Sequence, residues 1–432
     1  MEYWDGKKER IEREKLEQLQ LELLNRTLKS AYNSPFYKKR FKKLGLKPEI
    51  KDLSEIQKFP FTTKDDLRES YPFGMVATDI GNLVRMHGSS GTTGKSTLVF
   101  HTRKDIENWA DLVARCLYMI GVRETDIFQN MMSYGLFTGG LGLHYGAEKI
   151  GTLVIPIGSG NTKKQIEFLL DIKTTVLHIT PSYLLYIAYM AEQMNLSPSD
   201  DFNIKIAIVG AEPHSEGLRK KLENIFKINV YNCYGLSEMN GPGVAFECPY
   251  QKGLHIWEDH YFVEIIDPET GELLPDGKEG ELVLTTLQRE GMPLIRYRTR
   301  DITKIIKGKC PCGRTHRRIA RMKGRTDDMF IVKGVNIFPS QIETVLMDIP
   351  EVDKNYQIII EREKGLDILK IQVEVKKSTF TGDIVQLRNL QERIKENLKD
   401  AILINPVVEL VEPGTLPPST GKAKRVIDKR KV

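Results

Sequence analysis

A segment rich in glycine and hydroxyl residues, HGSSGTTGKS from His87 to Ser96, has the composition of a phosphate-binding loop. Its glycines allow close approach of backbone N–H groups, its hydroxyls donate hydrogen bonds, and its lysine adds positive charge. The residues expected to wrap the β- and γ-phosphates of a nucleotide are Ser89, Ser90, Gly91, Thr92, Thr93, Gly94 and Lys95. A flexible surface turn has a similar composition, so the segment alone leaves both interpretations open.

The end of this segment matches the P-loop pattern G-x-x-x-x-G-K-[ST] at Gly94, Lys95 and Ser96. Ser89, however, stands where the first glycine is needed. A P-loop also opens a helix, whereas the residues that follow, STLVFHT, are typical of a strand. The pattern therefore favours a mobile strand–loop–strand hairpin over a P-loop.

A second candidate site is formed by cysteine and histidine. The predicted ligands are Cys248, His255, Cys310 and Cys312. A C-x-C pair followed by glycine forms a tight turn that can present two thiolates, and three sulfurs plus one imidazole suit a structural Zn²⁺. The spacing is not that of a standard zinc finger, and the alternative is three unrelated buried thiols. The two other cysteines, Cys116 and Cys233, are expected in the core.

The order of apolar and polar segments predicts the fold class. Short apolar runs alternate with amphipathic helical segments between residues 151 and 236, which indicates βαβ units and a largely parallel sheet. Ligands should bind in the loops at the carboxyl ends of those strands. From about residue 255 the sequence becomes β-rich, and a small α+β unit follows. We expect an α/β protein with a large domain over residues 1–326 and a small mobile domain over residues 327–432.

Composition limits the class of protein. The chain has 432 residues, 40% of them hydrophobic, and a net charge of +6 that is scattered rather than clustered. We therefore expect anionic small molecules as ligands and no nucleic acid, although the basic tail KAKRVIDKRKV keeps nucleic acid as an alternative. The charged N-terminus and the lack of a long apolar run predict no signal peptide and no membrane span. Five cysteines in a chain of this size indicate a reducing, cytoplasmic setting.

Further motifs follow the glycine-rich segment in a fixed order: GAEP (210–213), NCYGLSE (232–238), YRTRD (297–301), GRTDD (324–328) and PPSTGK (417–422). This ordered set resembles the AMP-forming acyl- and aryl-CoA synthetases. The segments SYGLFTGGLGLHYGAEKIG and CGRTHRRI make the chain more similar to the phenylacetate–CoA ligase family. The resemblance covers nearly the whole chain and implies ATP, Mg²⁺ and coenzyme A as cofactors.

The resemblance implies a nucleotide site made of Gly210, Ala211, Glu212, Pro213, Asn232, Tyr234, Gly235, Ser237, Asp301 and Arg325. Residues 210–213 would lie along the adenine, whose edge Asn232 would meet and on whose ring Tyr234 would stack. Ser237 would lie beside the α-phosphate, and Asp301 would accept both ribose hydroxyls. The family has glycine just before this aspartate, whereas this chain has Arg300, which puts the local backbone geometry in question.

The resemblance also implies two half-reactions. A carboxylate attacks the α-phosphate of ATP to give acyl-AMP and diphosphate, and the CoA thiol then displaces AMP. The implied catalytic residues are Lys422, Lys95 and Glu238, the last as the Mg²⁺ ligand. Lys424 is the near rival of Lys422. Asp327 is implied as the hinge about which the small domain rotates between the half-reactions, with Arg325 as a phosphate or ribose contact.

An aromatic wall opposite small residues is expected to bind a flat apolar acid. The predicted residues are Tyr134, Phe137, Gly139, Gly140 and Ala147, and each could instead be a packing residue. An aryl-acetic acid is the expected substrate. The alternatives are an adenylating enzyme that loads another acid, or loads a carrier-protein pantetheine, and a nonenzymatic nucleotide sensor. A homodimer is possible.

Overall fold

The computed structural model describes residues 2–88, 97–212, 214–326, 330–332, 335–363, 366–379, 384–416 and 425–430. Its α-helices are α1 Gly6–Glu9, α2 Arg13–Ala31, α3 Pro35–Leu44, α4 Lys64–Glu69, α5 Arg103–Met119, α6 Thr138–Ile150, α7 Thr162–Asp171, α8 Pro181–Gln193, α9 Glu216–Phe226, α10 Pro339–Met347 and α11 Ile384–Ile402. Single 3₁₀ turns occupy Leu53–Lys58, Ile80–Asn82 and Ser237–Met239.

The strands fall into a large body and a small one. The strands of the large body are β1 Leu83–Gly88, β2 Leu98–Thr102, β3 Ile127–Asn130, β4 Leu153–Ile155, β5 Val176–Ile179, β6 Ile206–Gly210, β7 Asn229–Leu236, β8 Gly241–Glu247, β9 Leu254–Ile256, β10 Tyr261–Ile266, β11 Gly280–Thr286, β12 Tyr297–Thr303, β13 Ile305–Ile306, β14 Arg318–Ile319 and β15 Gly324–Arg325. Those of the small body are β16 Phe330–Val332, β17 Val335–Ile337, β18 Val352–Glu363, β19 Leu366–Val375, β20 Val407–Val411 and β21 Val426–Asp428.

A nine-stranded mixed sheet organises the large body, with strand order β13-β14-β9-β8-β7-β6-β5-β3-β4. Strands β4, β3, β5, β6 and β7 run parallel, and β8, β9, β14 and β13 extend the sheet antiparallel. Strand β6 is buried along its whole length, as expected of a parallel strand covered on both faces. The predicted βαβ alternation is confirmed.

Two smaller sheets complete the large body. Strands β10-β11-β12-β15 form an antiparallel sheet, and β1 and β2 form the hairpin that flanks the glycine-rich segment. The small body has a sheet of order β20-β19-β18-β21 covered by α10 and α11. The predicted α/β class, with a β-rich part and a small α+β unit, is confirmed.

The N-terminal helices pack on the outside of the large body. Leu24 and Leu28 of α2 are fully buried against aromatic side chains of α3, as expected of an amphipathic helix. The segment before α2 reaches the cysteine-rich turn, where the Tyr3 hydroxyl donates to the Cys312 carbonyl at 3.0 Å. No helix in the described ranges combines the length and apolarity needed to cross a bilayer.

A buried ion pair joins α5 to the β-rich part of the large body. The Arg115 guanidinium donates to both carboxylate oxygens of Asp259 at 2.9–3.0 Å, and the two side chains are 0% and 2% exposed. The Arg115 charge, together with two nearby histidines, outweighs burial and holds the pKa of Asp259 well below its usual range. The pair therefore stays charged at neutral pH.

We expect Asp259→Ala to lower the free energy of unfolding by about 3–5 kcal/mol, because it leaves the Arg115 charge buried without a partner. Urea denaturation followed by tryptophan fluorescence measures the loss. The control is Glu12→Ala, which removes an ion pair with Lys15 whose side chains are 74% and 69% exposed and should change the free energy of unfolding much less, because water screens an exposed pair. Equal losses of unfolding free energy in the two variants would contradict a stabilising role of the buried Arg115–Asp259 pair.

Candidate active site

The carboxyl ends of the parallel strands meet at one edge of the large sheet. Strands β3, β6 and β7 end there at Asn130, Gly210 and Leu236. Polar side chains follow each of these ends, as predicted for a ligand-binding edge. This edge is the candidate active site.

The GAEP motif begins at the last residue of β6. A Cβ atom at Gly210 would lie 2.6 Å from the Cys233 carbonyl oxygen, so only glycine fits between β6 and β7 there. The next residue, Ala211, has a φ of 67°. The Glu212 carboxylate accepts the Ser182 N–H at 2.6 Å, which fixes the motif to the start of α8. Negative charge at a helix N-terminus is stabilising.

The NCYGLSE motif forms the end of β7 and the turn after it. The Asn232 N–H donates to Glu247 at 2.8 Å, so its backbone is held in place. Gly235 is needed because a Cβ there would lie 1.9 Å from the Gly241 carbonyl oxygen. The Tyr234 hydroxyl donates to Asp301 Oδ2 at 2.6 Å. Burial and the Asp301 charge raise the pKa of Tyr234 well above its usual value, so the hydroxyl remains a donor.

Asp301 on β12 receives donors from two directions. Arg325 Nη1 lies 3.2 Å from Asp301 Oδ1, opposite the Tyr234 contact. The preceding residue, Arg300, has a φ of 68°, in the left-handed region where glycine carries no steric penalty. A left-handed φ at this position would suit the glycine that the resemblance implies, although this chain has arginine there. The Arg300 N–H donates to Glu281 at 3.2 Å.

Glu238 is buried in the turn after β7, with its carboxylate close to Thr97, Lys64 and Tyr297. Thr97 Oγ1 donates to Glu238 Oε1 at 3.2 Å, and Lys64 Nζ lies 3.8 Å from the same oxygen. Burial, followed by the Glu238 charge, raises the pKa of Tyr297 well above its usual value. The adjacent Ser237 hydroxyl lies 3.2 Å from the Thr138 hydroxyl at the start of α6. A single carboxylate that shares an ion with phosphate oxygens is a usual Mg²⁺ site, and this donor set fits one.

The residues predicted to bind the acid surround the start of α6, but the small ones are covered. A Cβ at Gly139 would lie 2.3 Å from the Phe137 ring, and one at Gly140 would lie 2.6 Å from the Ser133 carbonyl oxygen. Ala147 is 0% exposed in the core. The two glycines thus provide room for the chain itself, and Tyr134 and Phe137 remain as half-buried aromatic walls.

Several predicted site residues lie outside the described residues. These are Ser89, Ser90, Gly91, Thr92, Thr93, Gly94, Lys95, Pro213, Asp327 and Lys422. The strands on either side of the glycine-rich segment are described. The Gly88 N–H donates to the Leu136 carbonyl at 2.9 Å, so the segment begins beside the acid-site residues.

The predicted metal ligands come together away from this edge. The ligand atoms of Cys248, His255, Cys310 and Cys312 lie within 4.8 Å of one another, and all four residues are buried. The sulfurs of Cys248 and Cys310 are 3.6 Å apart, against about 3.8 Å for two thiolates on a tetrahedral Zn²⁺ with Zn–S bonds of about 2.3 Å. His255 Nδ1 lies 3.2 Å from the His316 carbonyl, which leaves Nε2 free to face the thiols. Hydrogen bonds from Cys248 and His255 lower the pKa of Cys312 to about 3.

Sequence reasoning missed residues that support the site from a distance. Asn130 Nδ2 donates to the Tyr134 hydroxyl at 2.8 Å and to the Gly140 carbonyl at 2.7 Å, while its Oδ1 lies 2.9 Å from His178 Nδ1. Asn130 is the last residue of a buried strand, and a polar residue at that position was the available signal. Lys64 belongs to a short N-terminal helix and carried no signal.

Family comparisons agree with this geometry. The model of the AMP-binding enzyme family matches residues 43–288, and that of the AMP-binding enzyme C-terminal domain matches residues 334–430. The chain is 44% identical to a phenylacetate-coenzyme A ligase of Aromatoleum evansii over 98% of this chain and 96% of that protein. It is 42% identical to the phenylacetate-coenzyme A ligase of Escherichia coli (strain K12) over 97% and 96% of the two chains.

Among solved structures, the chain is similar to 2-hydroxyisobutyryl-CoA ligase in the postadenylation state in complex with R3-HIB-AMP. The TM-score is 0.94 at 28% identity, covering 99% of this chain and 93% of that one. The same ligase with 2-HIB-AMP and CoA in the thioesterification state gives a TM-score of 0.74 at equal coverage. The chain therefore superposes more closely on the postadenylation structure than on the thioesterification structure. By sequence and structure together, the protein belongs to the phenylacetate-CoA ligase family of AMP-binding enzymes.

Proposed function

We propose that this protein is an ATP-dependent aryl-acid–CoA ligase. A carboxylate oxygen attacks the α-phosphorus of ATP, diphosphate leaves, and the CoA thiol then attacks the acyl-AMP carbonyl to give the thioester and AMP. The observation that carries the proposal is the convergence of Gly210, Tyr234, Glu238 and Asp301 at the strand edge of a chain that matches phenylacetate-coenzyme A ligases over nearly its full length. A phenylacetate-like acid is the proposed substrate.

The proposed nucleotide site follows from the contacts at this edge. Residues 210–213 lie along the adenine, and the Tyr234 ring stacks on it. Asp301 accepts the ribose hydroxyls, because an ionised carboxylate can take several donors and Arg325 holds it in place. Ser237 lies beside the α-phosphate. Tyr134 and Phe137 form the walls for the aryl group of the acid.

The chemical difficulty is that a carboxylate must approach a polyphosphate of the same charge sign. Glu238 would hold Mg²⁺, which when bound neutralises phosphate charge and polarises the reacting phosphoryl group. The glycine-rich segment with Lys95 holds the β- and γ-phosphates, and Lys422 bridges the acid and the α-phosphate. We propose that the small domain, 327–432, rotates about Asp327 between the two half-reactions. The rotation moves Lys422 out of the site and opens a path for CoA.

The function is tested with a panel of aryl and alkyl acids, assayed for AMP and thioester release with Mg–ATP and free CoA. We expect phenylacetate-like acids to give equal amounts of AMP and acyl-CoA. Acyl-AMP without thioester would favour an enzyme that loads a carrier-protein pantetheine. ATP binding without acid-dependent diphosphate release would support a nucleotide sensor and refute the proposal.

We expect Lys422→Ala to lower acid-dependent ATP–diphosphate exchange by about 100-fold or more, since it removes a positive charge from the developing phosphoryl transition state. Thioester formation from supplied acyl-AMP and CoA should change little. Lys424→Ala is the matched control and should retain both activities. Equal loss of the two half-reactions in Lys422→Ala would be evidence against the assigned role.

The proposed metal is a structural Zn²⁺ held by Cys248, His255, Cys310 and Cys312. Their ligand atoms lie close enough for one ion, and three sulfurs with one imidazole nitrogen are a usual closed zinc set. Zinc would supply no chemistry to the ligation, because the set leaves no open position. A cytoplasmic location and a homodimer stay predictions; reduced cysteines, as the zinc site requires, are consistent with the former.

Metal analysis of purified protein should find about one zinc per chain. Cys312→Ser should lose most of the metal and lower the melting temperature, because zinc binding contributes directly to folding. Cys116→Ser, a buried cysteine outside the cluster, should retain the metal. A content below roughly 0.2 equivalents after dialysis that removes only loosely bound ions would exclude the zinc site.

A further inference from the structure

Arg289 is a buried cation with two N–H nitrogens that make no hydrogen bond among the described residues, although the charges of Asp105 and Glu238 act on it. It lies in the turn between β11 and β12 and is 3% exposed. Its Nη1 donates to the backbone carbonyl of Glu238, while Nε and Nη2 are shielded from solvent and have no hydrogen-bond partner in the described part of the chain. Buried Arg296, in contrast, is paired with Glu264 at 2.9 Å. A buried charge without a partner is unfavourable, so this one needs an explanation.

The nearest carboxylates are committed elsewhere. Asp105 accepts three backbone N–H groups, from Thr102 at 2.9 Å, Glu290 at 2.7 Å and Gly291 at 3.0 Å. These bonds fix the turn that carries Arg289, but Asp105 is not among its hydrogen-bond partners in the described residues. The Glu238 carboxylate, which acts on Arg289 at longer range, is the proposed ligand of Mg²⁺.

His87 and His101 lie close enough to Arg289 for its charge to affect them. Asn240 follows the Glu238 turn that Arg289 contacts. We call His87, His101, Asn240 and Arg289 the buried polar layer. The two imidazole rings are 0% exposed, with centroids 5.6 Å apart. His87 Nε2, both ring nitrogens of His101 and Asn240 Oδ1 have no partner among the described residues. Burial, with Arg289 nearby, lowers the pKa of both histidines, so neither adds charge at neutral pH.

The position of the layer indicates what balances the charge. His87 and His101 lie on β1 and β2, the strands that enter and leave the glycine-rich segment. Asn240 and Arg289 contact the turn that carries Glu238. The layer therefore lies behind the turn that carries Glu238, the proposed Mg²⁺ ligand, and a magnesium polyphosphate bound at that carboxylate would bring negative charge close to it.

We propose that Arg289 is a positioning residue for the polyphosphate end of ATP. It holds the Glu238 turn through the carbonyl of Glu238, and its fixed positive charge favours the β- and γ-phosphates from behind. It acts without touching the nucleotide, because its free nitrogens are shielded. A fixed charge in a low-dielectric environment acts over a longer distance than one in water. This inference rests on the proposed function, since it takes Mg–ATP as the ligand.

The test compares Mg–ATP and AMP binding by isothermal titration calorimetry without acid, so that no turnover occurs. We expect Arg289→Met to weaken Mg–ATP binding by about 10-fold, or about 1.4 kcal/mol, and AMP binding by less than about 2-fold, since AMP lacks the β- and γ-phosphates. Arg289→Lys should recover most of the Mg–ATP affinity. Acid-dependent diphosphate exchange should fall with the Mg–ATP affinity, while thioester formation from supplied acyl-AMP should stay near the wild-type rate.

The matched control is Arg296→Met, which removes a buried arginine that is paired. It should lower the melting temperature without separating Mg–ATP from AMP affinity. If Arg289→Met does not fold, Mg–ATP binding and AMP binding are compared in Arg289→Gln instead. Equal weakening of both nucleotides, or of neither, in the Arg289 variants would overturn the proposal. A wild-type protein that binds Mg–ATP but makes no acyl-AMP would refute the proposed function instead, and the binding comparison would still decide the role of Arg289.

Discussion

The hydrogen bond between Tyr234 and Asp301 joins the two sheets on which the candidate site is built. Tyr234 ends a strand of the large mixed sheet, and Asp301 lies on a strand of the smaller antiparallel sheet. Arg325 contacts the other oxygen of Asp301 from the last strand before the small body. One carboxylate thus contacts both sheets and the segment that leads into the small body. A ligand that replaces a donor to this carboxylate acts on all three at once.

Charge places a second requirement on the same edge. The proposed site has to bind a polyphosphate and a carboxylate together. Two cations, one partly exposed and one buried, lie at the turn that carries Glu238. Lys64 lies 3.8 Å from Glu238 and is partly exposed, whereas Arg289 is enclosed behind the same turn. Exposed charges are screened by water and salt, while enclosed ones are not. The effect of the enclosed charge on a ligand therefore depends little on salt, whereas the effect of the exposed charge is weakened by water and salt.

Much of the fold could be predicted because it depends on local patterns. The βαβ alternation and the N-terminal amphipathic helices follow from apolar spacing, and Gly210 and Gly235 are local signs of close backbone approach. The paired cysteines of the C-x-C turn were also visible, and the choice of His255 as their partner agrees with the observed cluster. Arg289 could not be predicted, because its partner, the Glu238 carbonyl, lies 51 residues away in sequence. Asn130 was marked only by being polar at the end of a buried strand, and its contact with His178 spans 48 residues. The packing of Gly139 and Gly140 against the Phe137 ring and the Ser133 carbonyl depends on the local path of the chain, which residue types alone do not give.

Polar contacts join the two bodies. The Ser340 hydroxyl donates to the Lys323 carbonyl, and the Asp348 carboxylate lies at the N-terminus of α9, where Gly217 leaves room for it. A carboxylate at a helix N-terminus is favourable, but the energy is small and is lost when the carboxylate returns to water. The interface between the two bodies thus combines these polar contacts with the apolar packing of Met347 against the core of the large body.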